Sequence, residues 1–187
     1  MMSAMTTSER RGYQQICGAN GLMMVVACDQ RGGMRQVLAE TPDARARIDE
    51  AALGVVKAGV VRDLGNKASC VLLDAVCAVP GVVDQGVLGR DTGLLVGLDA
   101  SGWDVDAAGY RISKLVAGVD ARRVRALGAT GAKLVGYLRP DRPEANATNL
   151  SIIRDCIADF AAQDLLLVVE ILTYQLDDES DDAYRAA

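Results

Sequence analysis

Residues 128–138, GATGAKLVGYL, hold a glycine-bounded apolar run with one cation out of place. Leu134, Val135, Tyr137 and Leu138 read as a buried strand, and Lys133 stands at its start. A lysine in such a strand gives up hydration and needs a compensating partner. Four other runs share the same near-continuous apolar character: LMMVVACD (22–29), ASCVLLDAV (68–76), GLLVGLDA (93–100) and LLLVVEIL (165–172). Unbroken runs, in contrast to alternating ones, belong to strands covered on both faces, as in a parallel sheet.

Helical spacing fills most of the intervals. Thr41 is a candidate N-cap with Pro42 in the first turn, and the pattern runs on through Ile48, Ala52, Val55, Val56, Gly59 and Val60. A second helix starts near Asp120 and runs DARRVRALGA, with Gly128 to end it. A third spans about 146–163, with Leu150, Ile153, Ile157 and Phe160 on one stripe. A short helix over Ser8 to Cys17 precedes the first strand, while 77–92 and 101–117 read as short helices or loops. Strands alternating with helices predict an α/β fold of βα units, either an open doubly wound sheet or part of a (β/α)8 barrel. The first strand runs into CDQRGGM, without the GxGxxG of dinucleotide-binding sheets, and GATGAK precedes a strand where a Walker loop would open a helix.

The chain has 187 residues, half of them apolar, enough for one domain over 1–187 with a substantial core. Its net charge of -5 argues against a nucleic-acid partner, which requires a basic face. The five cysteines form no CxxC pair and read as buried reduced thiols. The polar start, MMSAMTTSERR, is unlike a secretion signal, and no apolar run approaches the roughly 20 residues that span a bilayer. These features predict a soluble, cytoplasmic protein without a membrane partner. Histidine is absent, so Ser-His and Cys-His nucleophile pairs are excluded. Proton transfer would fall to carboxylates, lysines or tyrosines, and no spacing suggests a metal site.

Charged residues collect at strand ends: Asp29 on the first, Asp74 late in the second, Asp99 late in the third, Lys133 in the fourth and Glu170 in the fifth. In a barrel, functional side chains come from the carboxyl ends of several strands. Alternation puts Lys133 on one face with Val135 and Tyr137, and Glu170 on one face with Val168 and Leu172. Each charge is expensive alone in a lumen and tolerable as a pair. Plainer readings remain: loop caps for Asp74 and Asp99, a local turn or ion pair for Asp29 with Arg31, and a structural salt bridge for Lys133 with Glu170.

The segments GLMMVVACDQRGGMRQVL, ASCVLLDAV, GLLVGLDASGWD, GATGAKLVGYLRPD and LLLVVEILTY together resemble the class I tagatose 1,6-bisphosphate aldolase family, and are similar to its sulfofructose phosphate-cleaving relatives. The resemblance runs from about Gly18 to Tyr174. It implies a (β/α)8 barrel and a metal-independent, cofactor-free lyase. Such an enzyme cleaves a phosphorylated ketose through a lysine Schiff base, giving dihydroxyacetone phosphate and an aldehyde. It also implies catalytic roles for Asp29, for Lys133 as a cation that is not the Schiff-base lysine, and for Glu170 as proton shuttle. Gln30, Arg31, Asp74 and Asp99 are expected at the substrate. The implied Schiff-base lysine lies on strand six, and after Tyr174 the sequence offers only the acidic tail 175–187, QLDDESDDAYRAA.

About five βα units are therefore expected, where a whole barrel takes about 250 residues. Five strands cannot close. The arc either flattens, or a partner such as a second copy in a homo-oligomer covers its edges, or it is marginally stable, LLLVVEIL being an aggregation-prone edge. Two further readings are a different lyase or isomerase on the same scaffold, and a non-catalytic sugar-phosphate binding or partner module.

Overall fold

The computed structural model describes residues 5–186. Residues 1–4 of the stretch read above for a leader, and Ala187 of the acidic tail, lie outside the described residues.

Helix α1 (Thr7–Ile16) opens with a capping box: the Thr6 hydroxyl accepts the Glu9 N–H at 3.2 Å while the Glu9 carboxylate accepts the Thr6 N–H at 2.7 Å. The five apolar runs become β1 (Val25–Cys28), β2 (Cys70–Asp74), β3 (Gly93–Gly97), β6 (Gly131–Tyr137) and β7 (Leu166–Leu172). They form one sheet, all parallel, in the order β1-β2-β3-β6-β7. The order follows the chain without reversal, so the switch point of a doubly wound sheet is missing and the barrel-type alternative stands. Among the described residues β1 and β7 are edges, and the sheet is not closed. Leu22, Met23 and Met24 before β1, and Ile171 and Leu172 in β7, expose apolar side chains there.

Two apolar clusters separate the faces of the sheet. Val71, Leu73, Leu94, Val96, Ala132 and Leu134 pack outward against the helices. Cys70, Leu72 and Leu95 pack inward with Ile16 of α1. On the outer side lie α4 (Glu50–Leu64), α5 (Val79–Asp84), α6 (Ala121–Ala126) and α7 (Ala147–Ala162).

The helix expected to run unbroken from Thr41 is instead two. Thr41 caps α3 (Pro42–Ala46), and Asp49 then caps α4 by accepting the Ala52 N–H at 2.8 Å. An aspartate that bonds the backbone ahead of it competes with helix continuation. Arg35, in α2 (Gly32–Leu38), fixes the break by donating to the Ile48 carbonyl at 2.8 Å. The stripe of α7 differs too. Asn149, Ile153 and Phe160 are its buried residues, while Leu150 and Ile157 are exposed. The segment 101–117 holds an antiparallel hairpin of β4 (Asp104–Val105) and β5 (Arg111–Ile112). Within the expected acidic tail, Glu179 pairs with Arg139 at 2.6 Å, and α8 (Asp181–Ala186) follows.

Candidate active site

A cleft of about 470 Å³ opens at the carboxyl ends of the strands. Asp29, Gln30 and Arg31 line it from the turn after β1, Asp99 from beyond β3, Lys133 and Tyr137 from β6, and Glu170 from β7. Alternation therefore placed Lys133 and Glu170 on one face as the sequence requires, and their heads meet: Lys133 Nζ lies 3.0 Å from Glu170 Oε2. The same ammonium lies 3.2 Å from Asp99 Oδ2 and 3.6 Å from Asp29 Oδ2.

The backbone explains how three carboxylates reach one cation. β3 and β6 pair directly only from Leu95–Gly131 to Gly97–Lys133. Beyond that point the chains separate, and Asp99 fills the gap by accepting the Val135 N–H at 2.8 Å on Oδ1, leaving Oδ2 for Lys133. Asp29 crosses above β3 because Gly97 has no side chain. A Cβ there would stand 3.1 Å from the Asp29 carboxylate.

The electrostatics follow from this crowding. Burial works against the Lys133 ammonium, yet Asp99, the hydrogen bond to Glu170, and Asp29 outweigh it and raise its pKa above the ordinary lysine value. Lys133 is therefore a cation at neutral pH. Burial raises the Asp99 pKa, and the hydrogen bonds from Val135 and Lys133 only partly offset it. Tyr137 is also raised, by burial first.

Asp74, expected at the substrate, is corrected by the structure. It does not line the cleft. Its carboxylate pairs with Lys57 of α4, fully buried, and accepts the N–H groups of Val76 at 3.0 Å and Cys77 at 2.8 Å. The loop-capping reading thus holds for Asp74. Gly54 makes the pairing possible, since a Cβ there would meet the Cys77 carbonyl oxygen at 2.5 Å and push α4 away. Burial opposes ionisation of Asp74, but the Cys77 N–H and then Lys57 hold its pKa below the ordinary carboxylate range. Burial and the Asp74 carboxylate push the Cys77 thiol up to about 11, which leaves it a poor nucleophile.

Trp103, Ser113 and Lys114 also line the cleft, and the sequence pattern does not mark them as site residues. The only signal was the lone tryptophan of DASGWD in a polar segment. Among the described residues no group of three or more cysteine or carboxylate side chains is arranged to hold a metal ion. Among them, too, no helix is long and apolar enough to cross a membrane.

Comparison with known proteins places this architecture. The chain is 28% identical over 173 residues to tagatose 1,6-diphosphate aldolase of Staphylococcus haemolyticus, covering 91% of this chain and 51% of that protein. It is 27% identical over 180 residues to tagatose 1,6-diphosphate aldolase of Lactococcus lactis subsp. lactis, covering 96% and 53%. The chain thus spans about half the length of these curated relatives. Among solved structures, a Schiff base forming fructose-1,6-bisphosphate aldolase superposes with a TM-score of 0.54 at 17% identity, over 91% of this chain and 60% of that one. An archaeal fructose 1,6-bisphosphate aldolase gives the same TM-score of 0.54 over 92% of this chain. The fold is accordingly that of a (β/α)8 barrel, represented here by five βα units. Residues 23–186 match the DeoC/LacD family aldolase domain, and the chain belongs to that family.

Proposed function

We propose that the cleft is the acid–base part of a class I aldolase site, acting on a phosphorylated ketose such as tagatose 1,6-bisphosphate or sulfofructose phosphate and giving dihydroxyacetone phosphate and an aldehyde. The observation that carries the reading is Lys133 held among Asp29, Asp99 and Glu170 at the carboxyl ends of the strands. Perturbed, mutually neutralising charges in a cleft mark chemistry more often than stability.

Carbon–carbon cleavage beside a carbonyl needs an electron sink at the carbonyl carbon and a base for the leaving hydroxyl proton. Lys133 stays charged, so it cannot attack a carbonyl. Its ammonium holds a substrate oxygen in place of one of its carboxylate partners. Glu170, the most exposed of the three carboxylates, has the freedom to pass protons during carbinolamine dehydration and cleavage. Asp29 and Asp99 orient the hydroxyl-bearing carbons, with Gln30 and Arg31 at the cleft wall. The resemblance puts the Schiff-base amine on a sixth strand. The sequence has four lysines: Lys57 is buried with Asp74, Lys67 precedes β2, Lys114 pairs with Asp104, and Lys133 is the clustered cation. Binding of the sugar phosphate, without turnover, is the activity proposed for these residues alone.

Calorimetric titration with dihydroxyacetone phosphate tests the reading, run beside borohydride trapping and peptide mapping. Binding that Lys133→Met weakens about a hundredfold, with no reduced adduct on Lys133 of the parent, is the expected result. Undiminished binding by Lys133→Met, or an adduct on Lys133, overturns it.

A further inference from the structure

The β4–β5 hairpin is built more firmly than a connecting loop requires. Its cation, Arg111, sits over the Trp103 ring at 3.9 Å from the centroid and over Tyr174 at 4.9 Å. The Arg111 N–H donates to the Tyr174 hydroxyl at 3.1 Å, and the Tyr174 carbonyl is held in turn by the buried Arg139 at 2.9 Å. Asn149 of α7, itself 1% exposed, donates at 2.7 Å to both the Arg111 and the Tyr137 carbonyls, joining β5 to β6. Its side-chain oxygen accepts the Ser113 N–H at 2.8 Å. Among the described residues no carboxylate lies within ion-pair distance of Arg111, so its charge rests on aromatic faces alone.

All this order holds an indole that is 44% exposed. Trp103 lines the cleft and meets Tyr137 edge-on, with ring centroids 5.8 Å apart at 63°. Solvent-facing aromatic surface gains nothing in the free protein, whereas a rigid aromatic wall over a polar floor suits a ligand with an anionic end and a hydrocarbon flank. Lys133 and Tyr137 lie on one face four residues apart, about 13 Å along the strand. The ring wall is thus offset along the strand from the cation, toward the part of a ligand that extends beyond an anchor at Lys133.

We propose that Trp103 is a specificity-determining residue that stacks against the carbon chain of a six-carbon sugar phosphate beyond its reacting carbonyl, and that Arg111 is the positioning residue that presents the ring. The inference rests on the sugar-phosphate reading above and names the part of the substrate the hairpin recognises. The C–H face of an extended sugar chain meets the electron-rich indole face. The opposite face is taken by Arg111, which fixes the ring plane before the ligand arrives and so lowers the ordering cost of binding.

Trp103 is the only tryptophan in the chain, so its emission reports on the proposed contact directly. The intact chain is titrated with fructose 1,6-bisphosphate and, separately, with dihydroxyacetone phosphate, with affinities from calorimetry. Fructose 1,6-bisphosphate is expected to change the Trp103 emission, and dihydroxyacetone phosphate to bind with little change. Trp103→Ala should weaken the six-carbon ligand about tenfold and the three-carbon ligand less than twofold, and Trp103→Phe should recover most of the loss. Arg111→Ala should lower the emission anisotropy of the free protein and reproduce the selective loss, which a mere stability defect would not. Equal losses for both ligands, or none, overturn the inference while leaving the sugar-phosphate reading intact. If neither ligand binds, the functional reading fails and takes the inference with it.

Discussion

Lys57 and Lys133 each bring a cation into the apolar interior, Lys57 from the helical layer and Lys133 from the opposite face of the sheet. Lys57 is wholly buried and meets one carboxylate, Asp74, whose remaining capacity is taken by backbone N–H groups and the Cys77 thiol. Nothing is left over for a ligand. Lys133 is 14% exposed and meets three carboxylates at unequal distances, 3.0, 3.2 and 3.6 Å, in an open cleft. A closed pair satisfies itself, whereas a cation shared among several anions beside solvent can exchange a partner for a substrate oxygen. Burial of a lysine is thus a poor guide to function, and the number and access of its partners a better one.

The comparison breaks most sharply by removing each cation. Lys57→Ala leaves the Asp74 carboxylate buried and uncompensated, and should destabilise the fold by about 3–5 kcal/mol in urea titrations. Lys57→Met with Asp74→Leu should recover most of that loss, since well-packed apolar residues replace such a pair at little cost. A single variant as stable as the parent would make the outer pair dispensable and erase the contrast. Lys133→Met has the reverse profile. It should shift the urea midpoint far less than Lys57→Ala but weaken dihydroxyacetone phosphate binding by about a hundredfold, the scale of losing one preorganised charge contact.

Alternation made the inner cluster legible in advance. Lys133, Val135 and Tyr137 on one strand and Glu170 on the next follow from a period of two once both runs are read as strands. The outer pair was not legible, because Asp74 shares parity with Leu72 and so points toward the cleft on pattern alone. What redirects it is a turn that presents the Val76 and Cys77 N–H groups and a helix brought close by Gly54, both products of tertiary packing. The break at residues 47–49 was hidden for a similar reason: apolar spacing runs through it, and only Asp49 and Arg35 together stop the helix. The hairpin gave no signal, since strands of two residues with exposed or half-buried side chains have no period to read.

The two clusters should also give way at opposite ends of the pH scale. The Asp74 pKa is depressed from 3.8, so its contribution is present above that value and is lost as pH falls through the lower folded value. The Lys133 pKa is raised from 10.5, so its contribution is full below that value and is lost as pH rises through the higher folded one. Asp99, raised from 3.8, takes a proton more readily when folded, so its ionised form costs stability and acid relieves that cost. Urea midpoints measured across pH should show Asp74→Asn flattening the acid limb and Lys133→Met flattening the alkaline limb. An alkaline limb that keeps its slope in Lys133→Met would mean that the cation is not stabilised by its three neighbours.

The smallest effect sharpens the rule from the other side. Lys114 and Asp104 form an ion pair at 3.0 Å, as short as the Lys133–Glu170 contact, but their side chains are 47% and 59% exposed. Water already solvates both charges, and holding two long side chains in register costs entropy, so such pairs contribute about 0–1 kcal/mol. Asp104→Asn should therefore change the urea midpoint by less than any variant above, and raising the salt concentration should remove what difference remains. A loss comparable to that of Lys57→Ala would show that distance alone sets the strength of these contacts, and would dissolve the distinction between a closed pair and an open cluster.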